Sequence, residues 1–455
     1  MSDVNSIDPQ WAWSPYEPDL DAPWTRRAAA HLFRRAGFAA SSGDLDAAVG
    51  RPPSEVVRDL VNVRRETPAY QQEIDELARS MLAGGDPAKL SAWWIYRLLT
   101  SVDPLREKVT LFWHGHFAAS AEKVADAELM YRQNQLLRNG ALGDFGALVH
   151  HISRDPAMLI YLDSATNRKS HPNENYAREL MELFCLGEGR YSEQDIRELA
   201  RCFTGWEIRN GVFRFNRYQH DPGTKSILGA AGEFGGDEGV DVVLSQPAGP
   251  EFIVGKLVRF FVLDEPALPY ALVEPLARQF RENELQIGPL IEIILSSKLF
   301  FSPPMRGAKV RSPVECGVGL LRALEGTTSA FELAAGTAEA GQHLFFPPNV
   351  KGWDGGRTWI NSSTLLARAN LVRALLDRPE TRFAGGGLAD LLDKHDVNSP
   401  TQIVDWLAEV LLAVDLSSDI RGELVRSIVT GNREREQNLR NLVHLVCTLP
   451  EFQLA

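Results

Sequence analysis

HPNENYARELMELFCLGEGRYSEQDIRELARCFTGW, residues 171–206, reads as two short helices joined by a Gly-Glu-Gly turn at 187–189. On a 100° wheel Tyr176, Leu180, Leu183 and Phe184 form the apolar stripe of the first, with Asn175, Glu179 and Glu182 on its flank. Ile196, Leu199, Ala200 and Phe203 form the stripe of the second, flanked by Asp195, Glu198 and Cys202. Ser192 stands three residues before Asp195, a capping-box arrangement that starts this helix. The block also carries Glu174, Arg178, Arg197 and Arg201. Unpaired charges do not survive burial, so the block is either an ion-paired structural surface or a polar site. If the two helices pack as a hairpin, their acidic flanks converge. Such carboxylates need cations, supplied either by the three arginines or by divalent metal ions.

Outward from this block the helical period continues in both directions. Apolar residues recur at three- and four-residue spacing over 54–64, 69–83, 87–101, 104–118, 122–139 and 143–153. They do so again over 251–263, 266–283, 287–299, 362–377, 400–414, 417–430 and 433–448. Directly after Trp206 the pattern changes: Trp206, Ile208, Asn210-Gly211, Val212, Phe213 and Phe215 predict a small β-hairpin at about 206–216 with a type I′ turn. A Gly-rich irregular stretch follows to about 247, and a Pro- and Trp-rich one spans 341–361. Residues 1–24 read as an irregular tail that Trp11, Trp13 and Trp24 tie to the body. The expected fold is therefore mostly α: one large helical body over 25–453, with two long irregular inserts and a small hairpin. Long ordered loops in a helical body are where function tends to sit.

Composition narrows the function classes. The 455 residues are 44% hydrophobic and 24% charged, as in ordinary globular chains. A net charge of -12 argues against a nucleic-acid partner, which needs clustered Lys and Arg. No run approaches the ~20 apolar residues of a membrane span. The acidic start lacks the basic and apolar regions of a signal peptide, so cytoplasmic residence is expected if Met1 is the mature start. The four cysteines show no CxxC spacing. GxxxxGK[ST], GxGxxG after a strand, HExxH and GxSxG are all absent.

Several motifs occur in a fixed order: FWHGHF (112–117), PNENYARELMELFCLGEGRYSEQDIRELARCFTGW (172–206), HDPGTKSILG (220–229) and FPPNVKGWDGGRTWINSSTLLAR (346–368). Together with HLFRRAGF (31–38) and LPEFQ (449–453) they closely resemble the bacterial family catalogued as domain of unknown function 1800. The resemblance spans about residues 25–453 and implies one largely helical unit. It implies no activity, since the family is uncharacterised. Its members are often exported, and are often encoded beside a sulfatase- or phosphatase-like protein.

Four sets of residues carry candidate chemistry. His114 and His116 suggest metal ligation, but on a helix they diverge by about 200° and cannot chelate one ion without a break at Gly115. His116 then falls on the apolar face, where one reading is a core histidine bonded to a carbonyl, and His114 is freer to serve a site. His220, Asp221 and Lys225 form either an oriented general base with a cation for a developing oxyanion, or a loop staple. Trp353 and Trp359 either line a ligand pocket or plug an irregular loop onto the core. Asn361 contacts substrate, or else Asn361 or Ser362 supplies the cap of the next helix.

The leading expectation is an enzyme with a polar His/carboxylate pocket, performing metal-dependent hydrolysis. His220, Asp221, Lys225, Glu174 and Arg178 would be catalytic. Asn175, Trp353, Trp359 and Asn361 would bind substrate. His114, His116, Glu179 and Glu182 would hold a divalent metal ion. The alternative is a non-catalytic scaffold acting with a sulfatase- or phosphatase-like companion. An enzyme should bring the motif side chains to one concave pocket, whereas a scaffold should leave them scattered as ion pairs and caps.

Overall fold

Helix-forming periodicity is realised along almost the whole chain in the computed structural model, which describes residues 6–62, 66–429 and 434–455. Residues 1–5 of the tail, and the expected helix-end residues 63, 64, 430 and 433, lie outside the described residues. Among the described residues there are 25 α-helical segments and three two-stranded antiparallel ladders, so the fold is mostly α. Buried apolar residues from Ala12 to Phe452 form one continuous core cluster.

The central block folds as its spacing predicts, with one change of period. Asn175–Glu179 is α-helical, but Leu180–Cys185 is a π-helical turn. Leu186 and Gly187 both donate to the Met181 carbonyl, at 2.9 and 3.1 Å. The second helix, Glu193–Cys202, opens with the expected capping box, in which the Asp195 carboxylate accepts from the Ser192 backbone N–H at 2.8 Å. Trp206–Arg209 pairs with Val212–Phe215 around Asn210 and Gly211. Both turn residues have positive φ (54° and 70°), as a type I′ turn requires.

Three expectations are corrected. The segment 122–139 is not one helix: Ala125 is left-handed (φ 52°), and the Asp126 carboxylate restarts the helix by accepting from Leu129 N–H. The 206–247 insert is not irregular throughout. It holds a second short ladder, Lys225–Ile227 with Ala230–Gly232, and then the helix Gly236–Leu244. The tail is partly helical, because Asp8 caps Pro9–Trp13. Within it Trp13 and Trp24 are anchored to the Leu272 and Ala48 carbonyls, but Trp11 is exposed. By contrast 341–361 is irregular except for a 3-10 turn, Gly356–Trp359. No helix is long and apolar enough to cross a membrane, among the described residues.

Two buried polar networks fix the helices that matter for the site. Glu107, on Pro104–His116, accepts from Arg97 Nε at 2.8 Å, from Arg138 Nε at 2.8 Å and from Trp94 Nε1 at 3.2 Å. It thereby joins three helices, Ala88–Thr100, Pro104–His116 and Ala127–Asn139. Arg35 donates to the carbonyls of Phe261, Val262, Met305 and Ala455 at 2.6–2.9 Å. Two of these end the helix Ala248–Phe261, where carbonyls have no intrahelical partner. Both networks sit where a charge is tolerated because several hydrogen bonds meet it.

Candidate functional site

A cleft of about 850 Å³ opens where the first and last of the long motifs meet. One wall is the end of Pro104–His116. The second is the turn that follows Leu180–Cys185, the third is the helix Ala248–Phe261, and the fourth is the 351–359 loop.

The sequence dictates how these walls join. Phe345 N–H donates to His114 Nε2 at 3.1 Å, which pins the irregular segment to the helix. Gly352 has φ 75°, and a Cβ there would lie 2.2 Å from the Gly115 carbonyl oxygen. Only glycine permits both the conformation and the approach. Trp353 is thereby laid beside the His114 ring, with centroids 5.7 Å apart, and forms part of the wall. Thus His114 and Gly115 serve the loop, and His116 serves the floor.

His116 Nε2 lies 3.0 Å from the Phe184 carbonyl, an acceptor, so Nε2 carries the proton. Nδ1 is then an acceptor, and Lys256 Nζ donates to it at 3.1 Å. Lys256 also donates to the Leu183 carbonyl at 3.1 Å, and its ammonium stands 4.7 Å from the centre of the Phe252 ring. The two carbonyls end the π-helical turn, where backbone acceptors are otherwise orphaned and carry negative partial charge. No carboxylate pairs with Lys256 among the described residues. Burial lowers the Lys256 pKa to about 8, and the Arg259 charge adds to the fall. Burial, and then the Lys256 charge, hold His116 well below the usual histidine range. Burial alone takes His114 to about 3, so both rings are neutral.

A second lysine on the cleft, Lys309, has the carboxylate partner that Lys256 lacks. It is ion-paired to Asp264 and also bonds the Arg259 carbonyl at 2.9 Å. Glu315 is likewise paired, with the buried Lys108. Toward the mouth Glu182 accepts from Tyr191 Oη at 2.7 Å, and Lys351 lies 3.9 Å from Glu188. The cleft therefore has aromatic walls, a charged rim whose groups are largely paired, and one amine on its floor without a counter-ion.

Of the residues singled out in the sequence, His116, Glu182, Trp353 and Trp359 border this cleft. The remainder do not, and the expected metal set is not assembled. His114 spends Nε2 on Phe345, and both nitrogens of His116 have protein partners. Glu179 is half-buried, its pKa raised by burial and then by Glu182. No group of three or more His, Cys, Asp or Glu side chains is placed to hold a metal ion, among the described residues.

The expected catalytic set is also dispersed. Asp221 does not orient His220: it accepts from Arg201 Nε at 2.7 Å and from Gly223 N–H at 2.9 Å. The Arg201 bond is also the main reason its pKa is lowered. His220 Nδ1 donates to the Thr204 carbonyl at 2.9 Å instead. Lys225 is buried and donates to the Asp221 and Phe234 carbonyls at 2.5 and 2.7 Å. These three residues staple the loop that follows the hairpin. Arg178 pairs with Glu193 at 2.8 Å and with Glu174 at 3.4 Å. Asn175 is exposed at the start of its helix, and Asn361 caps Ser362–Asp377 by accepting from Thr364 N–H at 3.0 Å.

Sequence reasoning missed Lys256. Its signal was the spacing Phe252, Lys256, Phe260: a lysine between two aromatics at i, i+4 and i+8.

The family described as "Protein of unknown function (DUF1800)" matches residues 31–454. Neither a curated protein nor a solved structure matches the chain.

Proposed function

The chain belongs to the DUF1800 family, whose description carries no activity, and from its own geometry we propose that it is an enzyme acting in the 850 Å³ cleft. One observation carries this reading: the Lys256–His116 pair lies on the cleft floor with no counter-ion, between aromatic walls. Concave, mostly apolar sites with a few convergent polar groups are where ligands bind, and a lysine of depressed pKa there is suited to acid–base or nucleophilic work. The substrate is an organic molecule whose flat apolar part lies along Phe252, Phe260 and Trp353. Its reacting polar group meets Lys256. Metal-dependent hydrolysis through His114, His116, Glu179 and Glu182 is not retained, because those side chains do not converge.

The test compares wild-type protein with Lys256→Met in a small-molecule extract, followed by mass spectrometry. Depletion of a metabolite by wild type but not by the folded variant supports the reading. Equal depletion by both, or by neither, sinks it.

A second reading, a scaffold for a sulfatase- or phosphatase-like companion, is favoured by the exposed ion pairs of the 174–197 block. Affinity purification from native cells that recovers no such companion would remove it.

A further inference from the structure

We propose that the Lys256 amine condenses with carbonyl compounds, holding an aromatic or branched apolar aldehyde or ketone in the cleft as an imine. The proposal rests on the cleft being the substrate site and adds the chemical class of its substrate.

The geometry sets the reactive state of the nitrogen. Two of the tetrahedral positions on Nζ hold protons donated to His116 Nδ1 and the Leu183 carbonyl. Both acceptors belong to the cleft wall. A neutral amine has only these two protons, so, with Cε in the third, its lone pair takes the fourth position. His116 cannot supply a proton at Nδ1, since its one proton is held on Nε2 by Phe184. The pair therefore accommodates a neutral amine without leaving a buried acceptor unbonded.

Other enclosed lysines are differently equipped. Burial lowers the pKa of Lys108 and Lys309 too, but each is paired with a carboxylate, Glu315 and Asp264, and Lys225 lies off the cleft. The depressed pKa of Lys256 follows from the same surroundings. The product is compatible with the site as well. A protonated imine is a cation whose single N–H keeps one of the two acceptors, and the Leu183 carbonyl and the Phe252 ring stabilise its charge.

The step balances without an oxidant. The Nζ lone pair attacks the carbonyl carbon and forms the C–N bond, while the carbonyl π pair moves to oxygen, which takes up a proton. Nζ releases one proton to solvent, giving the carbinolamine. The hydroxyl is protonated and leaves as water as the C=N bond forms. Amine, carbonyl compound and one proton become protonated imine and water.

The experiment uses the full chain, benzaldehyde and sodium cyanoborohydride at pH about 7.5. Hydride delivered to the iminium carbon fixes the adduct as a secondary amine, and peptide mapping locates it. At that pH a lysine of pKa about 8 is roughly one-quarter neutral, against about one-thousandth for an ordinary lysine. We expect Lys256 to be labelled at least about tenfold faster than exposed Lys89 and Lys394, allowing for the lower nucleophilicity of a weaker base. The Lys256→Arg variant, which keeps the donors and the charge, should lose that fast phase alone. Labelling of Lys256 no faster than Lys89 overturns the proposal, and the reading needs no variant to fold.

The two readings fail separately. Extract turnover that needs Lys256, with no fast adduct, leaves the enzyme reading standing and removes the imine. A fast adduct with turnover indifferent to Lys256→Met does the reverse.

Discussion

Two glycines face each other where the FWHGHF motif meets the 346–368 motif, and the structure assigns them opposite tolerance to a methyl group. At Gly352 an added Cβ would sit 2.2 Å from the Gly115 oxygen and 3.0 Å from its carbonyl carbon. Both neighbours are backbone, so no side chain can rotate away. The residue is also left-handed, with φ 75°. The conformational strain is about 1–2 kcal/mol. Relief of the overlap needs a loop shift of roughly 1 Å, an overpacking cost of about 1–3 kcal/mol. Gly352→Ala should therefore destabilise by about 2–5 kcal/mol. At Gly115 the added Cβ meets only Trp353 Cε3, at 3.9 Å, which is ordinary contact. This glycine is helical, so Gly115→Ala should be neutral or stabilising by up to about 1 kcal/mol. Urea unfolding followed by tryptophan fluorescence measures both. The benzaldehyde labelling rate of Lys256 reports whether the displaced loop has opened the cleft. A Gly352→Ala midpoint within error of wild type would refute the close-approach argument. So would Gly115→Ala proving as damaging as Gly352→Ala.

Three more outcomes follow from the buried and capping interactions. Burial alone would raise the Glu107 pKa, but Arg138 and then Arg97 outweigh it and hold the carboxyl at about 2, against an ordinary 4.5. A depressed carboxyl pKa stabilises above the unfolded value and loses that contribution as pH falls through the folded one. Glu107→Gln should thus cost about 3 kcal/mol at pH 7, shrinking to about 1 kcal/mol at pH 3. Unfolding midpoints at the two pH values check this, and a pH-independent gap would contradict it. Asp195→Ala removes the acceptor for Ser192 N–H and also for Leu228 N–H, the latter bonded at 2.7 Å. It should cost about 1–2 kcal/mol, with faster amide exchange at Leu228. Lys225→Met leaves the Asp221 and Phe234 carbonyls without their donor and should cost about 1–3 kcal/mol. It should leave the labelling rate of Lys256 unchanged, and a slowed rate would mean that this loop is coupled to the cleft.

The sequence by itself determined what depends on neighbours a few residues apart. Helical stripes such as Ile196, Leu199 and Ala200, the Ser192–Asp195 cap, the Asn210-Gly211 turn and the Asn361 cap are all local devices. Their energies are set by 3.6-residue periodicity, by side chains reaching two or three residues along, and by positive φ. The same logic separated His114 from His116, because a helix turns 100° per residue whatever surrounds it. Where the local period itself changed, the reading slipped. The π-helical turn at Leu180–Cys185 breaks the 100° wheel, and the left-handed Ala125 divides a continuous apolar pattern. The site belongs to the other class. Lys256 meets His116 across 140 residues, and Phe345 meets His114 across 231. Asp221 chose Arg201 over the adjacent His220, since a guanidinium was within reach and the loop turned the imidazole toward a carbonyl. Hydrogen-bond partners of buried polar groups are decided by which acceptors the packed helices bring near, and residue type fixes only what each group is able to accept or donate. Tertiary packing alone therefore decided that Arg178 and Arg201 of the central block pair with carboxylates, and that the Lys256 amine faces the cleft.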